Sequence, residues 1–240
     1  MDKLYHFTSC SNLASICVDG LLPTIGFRSM SIADSKRSIF LSKGMEQAIK
    51  MYASMLWCYD NNSGKKGEKK IEECNSSLNR ILHALELGGY DEFLESQKRA
   101  FESELIRLNL IGRCRNFNEY LGGDGCYLSV HGMEGYLQYD SENYWCDIPI
   151  PTDNINVVYL QNKITGERQF SRDEIISYFM SFFSPMQLAK GDNETFEQVK
   201  YLYDYKNISL YFDYLRNVYD LCEMPFNEYV NNKVKALIFD

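Results

Sequence analysis

Apolar and polar positions alternate or recur along the chain in blocks that predict a succession of strands and helices. The run Lys3 to Thr8 is aromatic and β-compatible and closes in Thr-Ser, which predicts a short strand entering a turn. From Ser11 to Val18, Leu13, Ile16 and Cys17 recur at helical spacing, and Gly20 stands where a left-handed residue would stop the helix. A polar, glycine-bearing loop follows, with Gly26, Arg28, Ser29, Ser31 and Ser35. The plan then repeats, with a strand over Ser38 to Ser42 and a helix from Met45 to about Trp57 that places Ala48, Met51, Tyr52 and Met55 on one face.

The stretch Asn61 to Lys70 is polar and aperiodic, and it reads as an exposed loop with solvated lysines. Ile71 to Leu87 and Asp91 to Leu110 carry apolar residues three and four apart among charges, the pattern of amphipathic surface helices. After the turn cluster Gly122 to Gly125, strand-like runs cover Cys126 to His131, Gly135 to Tyr139, Tyr144 to Ile150 and Ile155 to Gln161. Ser171 and Glu174 have the spacing of a capping box that opens an apolar helix, and the remainder to Asp240 reads as helical and Tyr-rich. The rings of Tyr201 to Tyr219 fit a core or partner face better than a nucleobase platform, which would want more Lys and Arg beside them.

Composition narrows the class. A chain of 240 residues with 45% hydrophobic and 14% aromatic side chains is too apolar for disorder, and it can bury a real core. The formal charge of -8 argues against broad adhesion to nucleic acid or anionic membranes, which runs on clustered Lys and Arg. The longest apolar stretch, around Ile175 to Phe183, is too short to span a bilayer, and the first residues lack a charged-then-apolar signal pattern. The eight cysteines form no C-x-x-C pair, so reduced thiols in a cytoplasmic protein are expected. The histidines, at 6, 83 and 131, cluster with no other ligand type, and no metal site is expected.

A strand that delivers His6, then an exposed backbone at Phe7, then Thr8 and a helix makes a rigid platform with polar groups at its edge. The imidazole can bond a ribose hydroxyl, the Phe7 N–H and C=O can pair with a carboxamide, and Thr8 adds a hydroxyl. These residues carry a resemblance. Leu4 to Ser9, with Asn12, Ile16 and Gly20-Leu21, resembles the first signature of the ADP-ribosyltransferase superfamily, in the branch of the poly(ADP-ribose) polymerases and diphtheria-like toxins. Phe7 stands where the polymerases commonly have a small residue. Ile39 to Ser42, then Ala48 and Tyr52, is similar to the second signature, whose aromatic positions sandwich the nicotinamide ring. Glu142 to Ile155 looks like the third, a carboxylate at a strand start. Glu134 competes with Glu142 for that role, and Asp140 and Asp147 flank the same stretch.

The resemblance implies an α+β fold with a split, mostly antiparallel sheet, elaborated by a helical insertion at about residues 60–120 and by C-terminal helices. Residues 1–165 would form the NAD-binding core and residues 166–240 a helical extension. It further implies an enzyme of toxin or effector type that takes NAD as substrate and moves ADP-ribose to a macromolecular acceptor, protein rather than nucleic acid. In that scheme His6 holds the adenosine-side ribose, Phe7 the carboxamide, and Phe40 and Tyr52 the ring. Thr8 and Ser42 would line the pocket, Arg28 would hold the pyrophosphate, and Glu142 would act on the reacting ribose. The alternatives are NAD hydrolysis in the same pocket and an inactive fold serving as a protein- or nucleotide-binding module. A related RNA phosphotransferase branch ranks lower, because only Arg28 and Arg37 are near enough in sequence to serve it.

Overall fold

The computed structural model describes residues 3–23, 38–139, 143–206 and 209–239. Its first half runs β1 (Leu4–Ser9), α1 (Leu13–Asp19), β2 (Ile39–Lys43), α2 (Gly44–Asn62), α3 (Gly64–Gly88), α4 (Glu92–Arg113) and α5 (Phe117–Tyr120). The strands β3 (Gly125–Val130), β4 (Gln138–Tyr139), β5 (Asn143–Cys146), β6 (Ile155–Asn162) and β7 (Arg168–Gln169) follow. The chain then continues through α6 (Arg172–Met180), α7 (Pro185–Leu188), α8 (Asn193–Lys206), α9 (Ser209–Val218), β8 (Tyr219–Pro225) and α10 (Phe226–Phe239). Contacts divide the described residues into a sheet unit, 3–23, 38–55 and 122–239, and a helical unit, 56–121.

The sheet unit is α+β. Its eight strands form one antiparallel sheet in the order β4-β5-β2-β1-β3-β6-β7, with β8 also on β6. Two long ladders dominate it: Leu4 to Ser9 against Val130 to Gly125, and Asn156 to Asn162 against Pro225 to Tyr219. Because successive side chains point to opposite faces, one face gathers Leu4, Ile39, Leu41, Cys126, Leu128, Val130, Ile155 and Val157. Ile16 of α1 and Phe226 and Tyr229 of α10 complete that core. The other face presents Tyr5, Phe7, Tyr127, Val158 and Leu160, with Tyr52 of α2 against Phe7 and Phe179 of α6 against Tyr5. Burial on both faces explains why every residue of β3 is buried instead of every second one.

Several expectations from sequence are corrected. Asn61 to Lys70 is helical except at Ser63, where α2 gives way to α3. The polar composition hid a tight helix-to-helix turn: a Cβ on Gly67 would lie 2.0 Å from the Asn62 carbonyl oxygen, so only glycine permits the approach. Lys70 is not merely solvated, since its ammonium donates to Asn61 O at 3.1 Å and Asn62 Oδ1 at 2.7 Å and so closes the end of α2.

Gly20 does end α1, with φ 74, but its ψ of -169 is extended, not left-handed helical. Glycine is required there because a Cβ would sit 2.3 Å from Ile150 O. Ser171 makes no side-chain cap, whereas Ser184 and Gln187 form a reciprocal capping box at α7. The stretch beyond 165 is not all helical: β7 and β8 both pair with β6. The strands expected over Gly135 to Tyr139 and Tyr144 to Ile150 shrink to β4 and β5, with a 3-10 turn at Glu134–Tyr136. Among the described residues, no helix is long and apolar enough to cross a membrane.

Candidate functional site

The ladder between β1 and β2 is short. Leu4 faces Lys43 and Tyr5 faces Ser42, and there the pairing stops, although β2 runs on to Ile39 against β5 and β1 runs on to Ser9 against β3. His6–Ser9 therefore have a strand partner on the β3 side only, among the described residues. At this divergence the His6 Nδ1 lies 3.0 Å from the Phe40 carbonyl oxygen. A carbonyl can only accept, so Nδ1 carries the hydrogen and the neutral ring offers Nε2 as an acceptor. Burial lowers the pKa of His6 below its usual 6.5 and the bond to Phe40 works against that shift, so the ring is held in its neutral form.

His6 and Phe7 are adjacent and so project from opposite faces of the sheet. Phe7 packs edge-on to Tyr127, centroids 4.3 Å apart, and tilted to Tyr52 at 6.5 Å. The Tyr52 hydroxyl donates to Asp173 Oδ1 at 2.8 Å. Phe40, opposite in parity to the core residues Ile39 and Leu41, is 42% exposed, while Tyr52 is only 3% exposed. Among the described residues no ring contact joins them. Thr8 is buried, and its hydroxyl accepts from Asn12 Nδ2 at 3.4 Å. Ser42 is buried on the same face as its cross-strand partner Tyr5. The structure thus brings His6 to the Phe40 backbone and Phe7 to Tyr52.

Glu142 and Arg28 lie outside the described residues, as do Ser29, Arg37 and Asp140. Glu134 is exposed in its 3-10 turn. Asp147 is engaged: it accepts from Ser38 Oγ at 2.5 Å and from Gln138 Nε2 at 2.9 Å, and Gln138 Oε1 in turn accepts from Trp145 Nε1 at 2.8 Å.

Sequence reasoning missed a polar group on the Phe7 face. Arg172, at the first position of α6, is 4% exposed, and its Nε has no hydrogen-bond partner among the described residues. Its guanidinium lies against the start of β3, where a Cβ on Gly125 would fall 2.5 Å from Thr8 O and 2.7 Å from Arg172 Nη1. The hydroxyls of Tyr127 and Ser129, on the same face of β3, are also buried without partners. Burial raises the Tyr127 hydroxyl well above its ordinary value, and Tyr5 adds to the effect while Arg172 opposes it. A lone Arg after a capping-type Ser carries no sequence signal that would reveal this.

Comparison of the chain with family models, with curated proteins and with solved structures finds no match. Among the described residues no cluster of three His, Cys, Asp or Glu side chains has the makings of a metal site.

Proposed function

We propose that the sheet unit binds NAD beside the divergence of β1 from β2 and transfers ADP-ribose to a macromolecular acceptor, a protein rather than a nucleic acid. The observation that carries this reading is the His6 Nδ1 bond to Phe40 O at the point where the ladder stops. It fixes the tautomer whose Nε2 accepts from a ribose hydroxyl, next to a stretch of β1 backbone paired on one side only, where Phe7 can engage a carboxamide. The antiparallel α+β architecture and the resemblance of β1, β2 and α2 to the superfamily's first two signatures agree with it. A cytoplasmic setting fits the free thiols of Cys17, Cys58, Cys74, Cys114, Cys126, Cys146 and Cys222.

In this scheme Phe40 and Tyr52 border the nicotinamide, Thr8 and Ser42 line the pocket, and Arg28 neutralises the pyrophosphate. The N-glycosidic bond breaks with its electron pair leaving on nicotinamide, the acceptor nucleophile bonds to the ribose C1′, and the acceptor's proton passes to solvent. The Glu142 carboxylate stabilises the oxocarbenium-like transition state. Incubation with NAD labelled in its adenylate half tests the proposal. Label on a macromolecule is the expected result. Free ADP-ribose would instead assign hydrolysis, and unchanged NAD with saturable binding would assign a binding module.

A further inference from the structure

Arg172 brings a positive charge into the sheet unit that the described residues do not balance. It opens α6, lays its guanidinium over Gly125 at the start of β3, and is buried. A guanidinium keeps its charge in proteins, and a charge withdrawn from water is costly unless an opposite charge stands beside it.

No carboxylate among the described residues forms an ion pair with Arg172. The three acids next to the contact in sequence are engaged elsewhere. Asp173 accepts from the Tyr52 hydroxyl at 2.8 Å, Asp124 Oδ1 from the Gly125 N–H at 3.0 Å, and Glu174 from the Tyr211 hydroxyl. Arg172 Nε is closed to solvent and has no hydrogen-bond partner among the described residues.

The independent pointer to a ligand is Tyr127. It stands two residues after Gly125 on β3, so it shares the face on which the guanidinium lies. Its side chain is wholly buried, and its hydroxyl is a second donor without a partner among the described residues. Burial first, and Tyr5 after it, push the hydroxyl well above its ordinary pKa, so it keeps its proton; Arg172 opposes that shift, which puts the two groups within electrostatic reach. A cation and a hydroxyl, each with a hydrogen to donate, are satisfied together by one negatively charged acceptor.

We propose that the interior beneath the start of α6 binds a small inorganic anion of the size of chloride, held by the Arg172 guanidinium and the Tyr127 hydroxyl. Both donor atoms are sealed from solvent, so a phosphate or a nucleotide is too large. Ser171 precedes α6 without a side-chain cap, and helix ends open readily, so the first turn of α6 is the route by which the ion exchanges. Tyr127 pairs with Phe7 and shares its face, opposite to His6, so the inference does not depend on NAD binding.

The test is the melting temperature of the full chain as chloride replaces gluconate, an anion too large to enter, at fixed ionic strength. Going from none to about 0.1 M chloride should raise it by about 3–5 °C, the response of a site with a Kd of about 10 mM. The chloride NMR line should broaden in proportion to added protein. Arg172→Met should abolish both responses, and Arg172→Lys, which keeps the charge, should retain part of them. Tyr127→Phe should weaken the affinity about tenfold. Arg99→Met, at an exposed arginine of α4, should change neither response. In gluconate Arg172→Met should melt above wild type, with the gap closing as chloride is added, a result that packing alone would not give. A wild-type chain indifferent to chloride would overturn the proposal and assign the counter-charge to the chain itself. An undiminished chloride response in Arg172→Met would overturn it equally.

Discussion

The two units treat buried polar groups differently. In the helical unit, Arg107 leaves its Nε unpaired but donates through its other two nitrogens, to Glu104 Oε1 at 2.5 Å and to Cys58 Sγ at 3.0 Å, and Tyr59 donates to Cys114 O. In the sheet unit Arg172 is more deeply buried and its Nε has no hydrogen-bond partner among the described residues; Tyr127 and Ser129 add orphaned hydroxyls on the same face. Helices satisfy their own backbone and leave side chains free to pair along the helix, as Arg107 does with Glu104, or across to a packed neighbour, as it does with Cys58. A sheet buried on both faces must place polar side chains wherever the ladder puts them, and unpaired ones cost stability.

The largest effect expected from breaking this contrast is chemical. Glu142→Ala should lower NAD turnover by about a hundredfold to a thousandfold while NAD binding survives; wild-type turnover in that variant would remove Glu142 from the mechanism. Next come two arginine replacements with opposite signs. Arg172→Met removes a buried charge that has no ion-pair partner among the described residues and should raise stability by about 1–4 kcal/mol, whereas Arg107→Met strips Glu104 and Cys58 of their donor and should lower it by about 1–3 kcal/mol. Denaturant midpoints of the pair decide the matter, and equal signs would end the distinction between the units.

Gly125→Ala should destabilise by about 1–3 kcal/mol, because its Cβ meets both Thr8 O and the Arg172 guanidinium. The double variant with Arg172→Met should recover part of that loss, since the side-chain clash is then relieved while the Thr8 carbonyl remains.

The smallest effect is in pH. The folded pKa of His6 lies below 6.5, so the unfolded chain takes up the proton first, and stability falls as pH drops from 6.5 toward the lower folded value. The carboxyl of Glu119 is held below its usual 4.5 by Arg115, and the support it gives is present above 4.5 and lost as pH falls through its lower folded value. Melting temperatures of His6→Gln against wild type should therefore converge as pH falls through the histidine window, whereas Arg115→Ala should change only the acid limb. A histidine variant with an unaltered pH profile would show that burial does not hold the ring neutral.

Much of the sheet unit is legible in the sequence. Leu4 to Ser9, Ile39 to Lys43 and Ile155 to Asn162 announce themselves by β-branched and aromatic runs bounded by turn residues. By contrast, β8 hides behind a Tyr-rich helical stretch because only Tyr219 and Met224 of its residues are buried, and its pairing is with β6 far back in the chain. Asn61 to Lys70 misleads because composition cannot show that Gly67 serves a close backbone approach rather than a loop. Within the candidate site, the placement of His6 and Phe7 on β1 follows from local pattern. The tautomer set by Phe40 O and the burial of Arg172 depend on strand pairing, which periodicity does not encode.

The long-range ladders have a consequence for biosynthesis. β1 waits for β3, and β6 waits for β8, so a ribosome making this chain exposes Leu4, Ile39 and Leu41 well before the strands that cover them exist. The α3 and α4 hairpin, whose partners are near in sequence, can form in the meantime. A nascent chain halted there presents a lone apolar strand pair, and it is at that stage, rather than after release, that chaperone protection and aggregation compete.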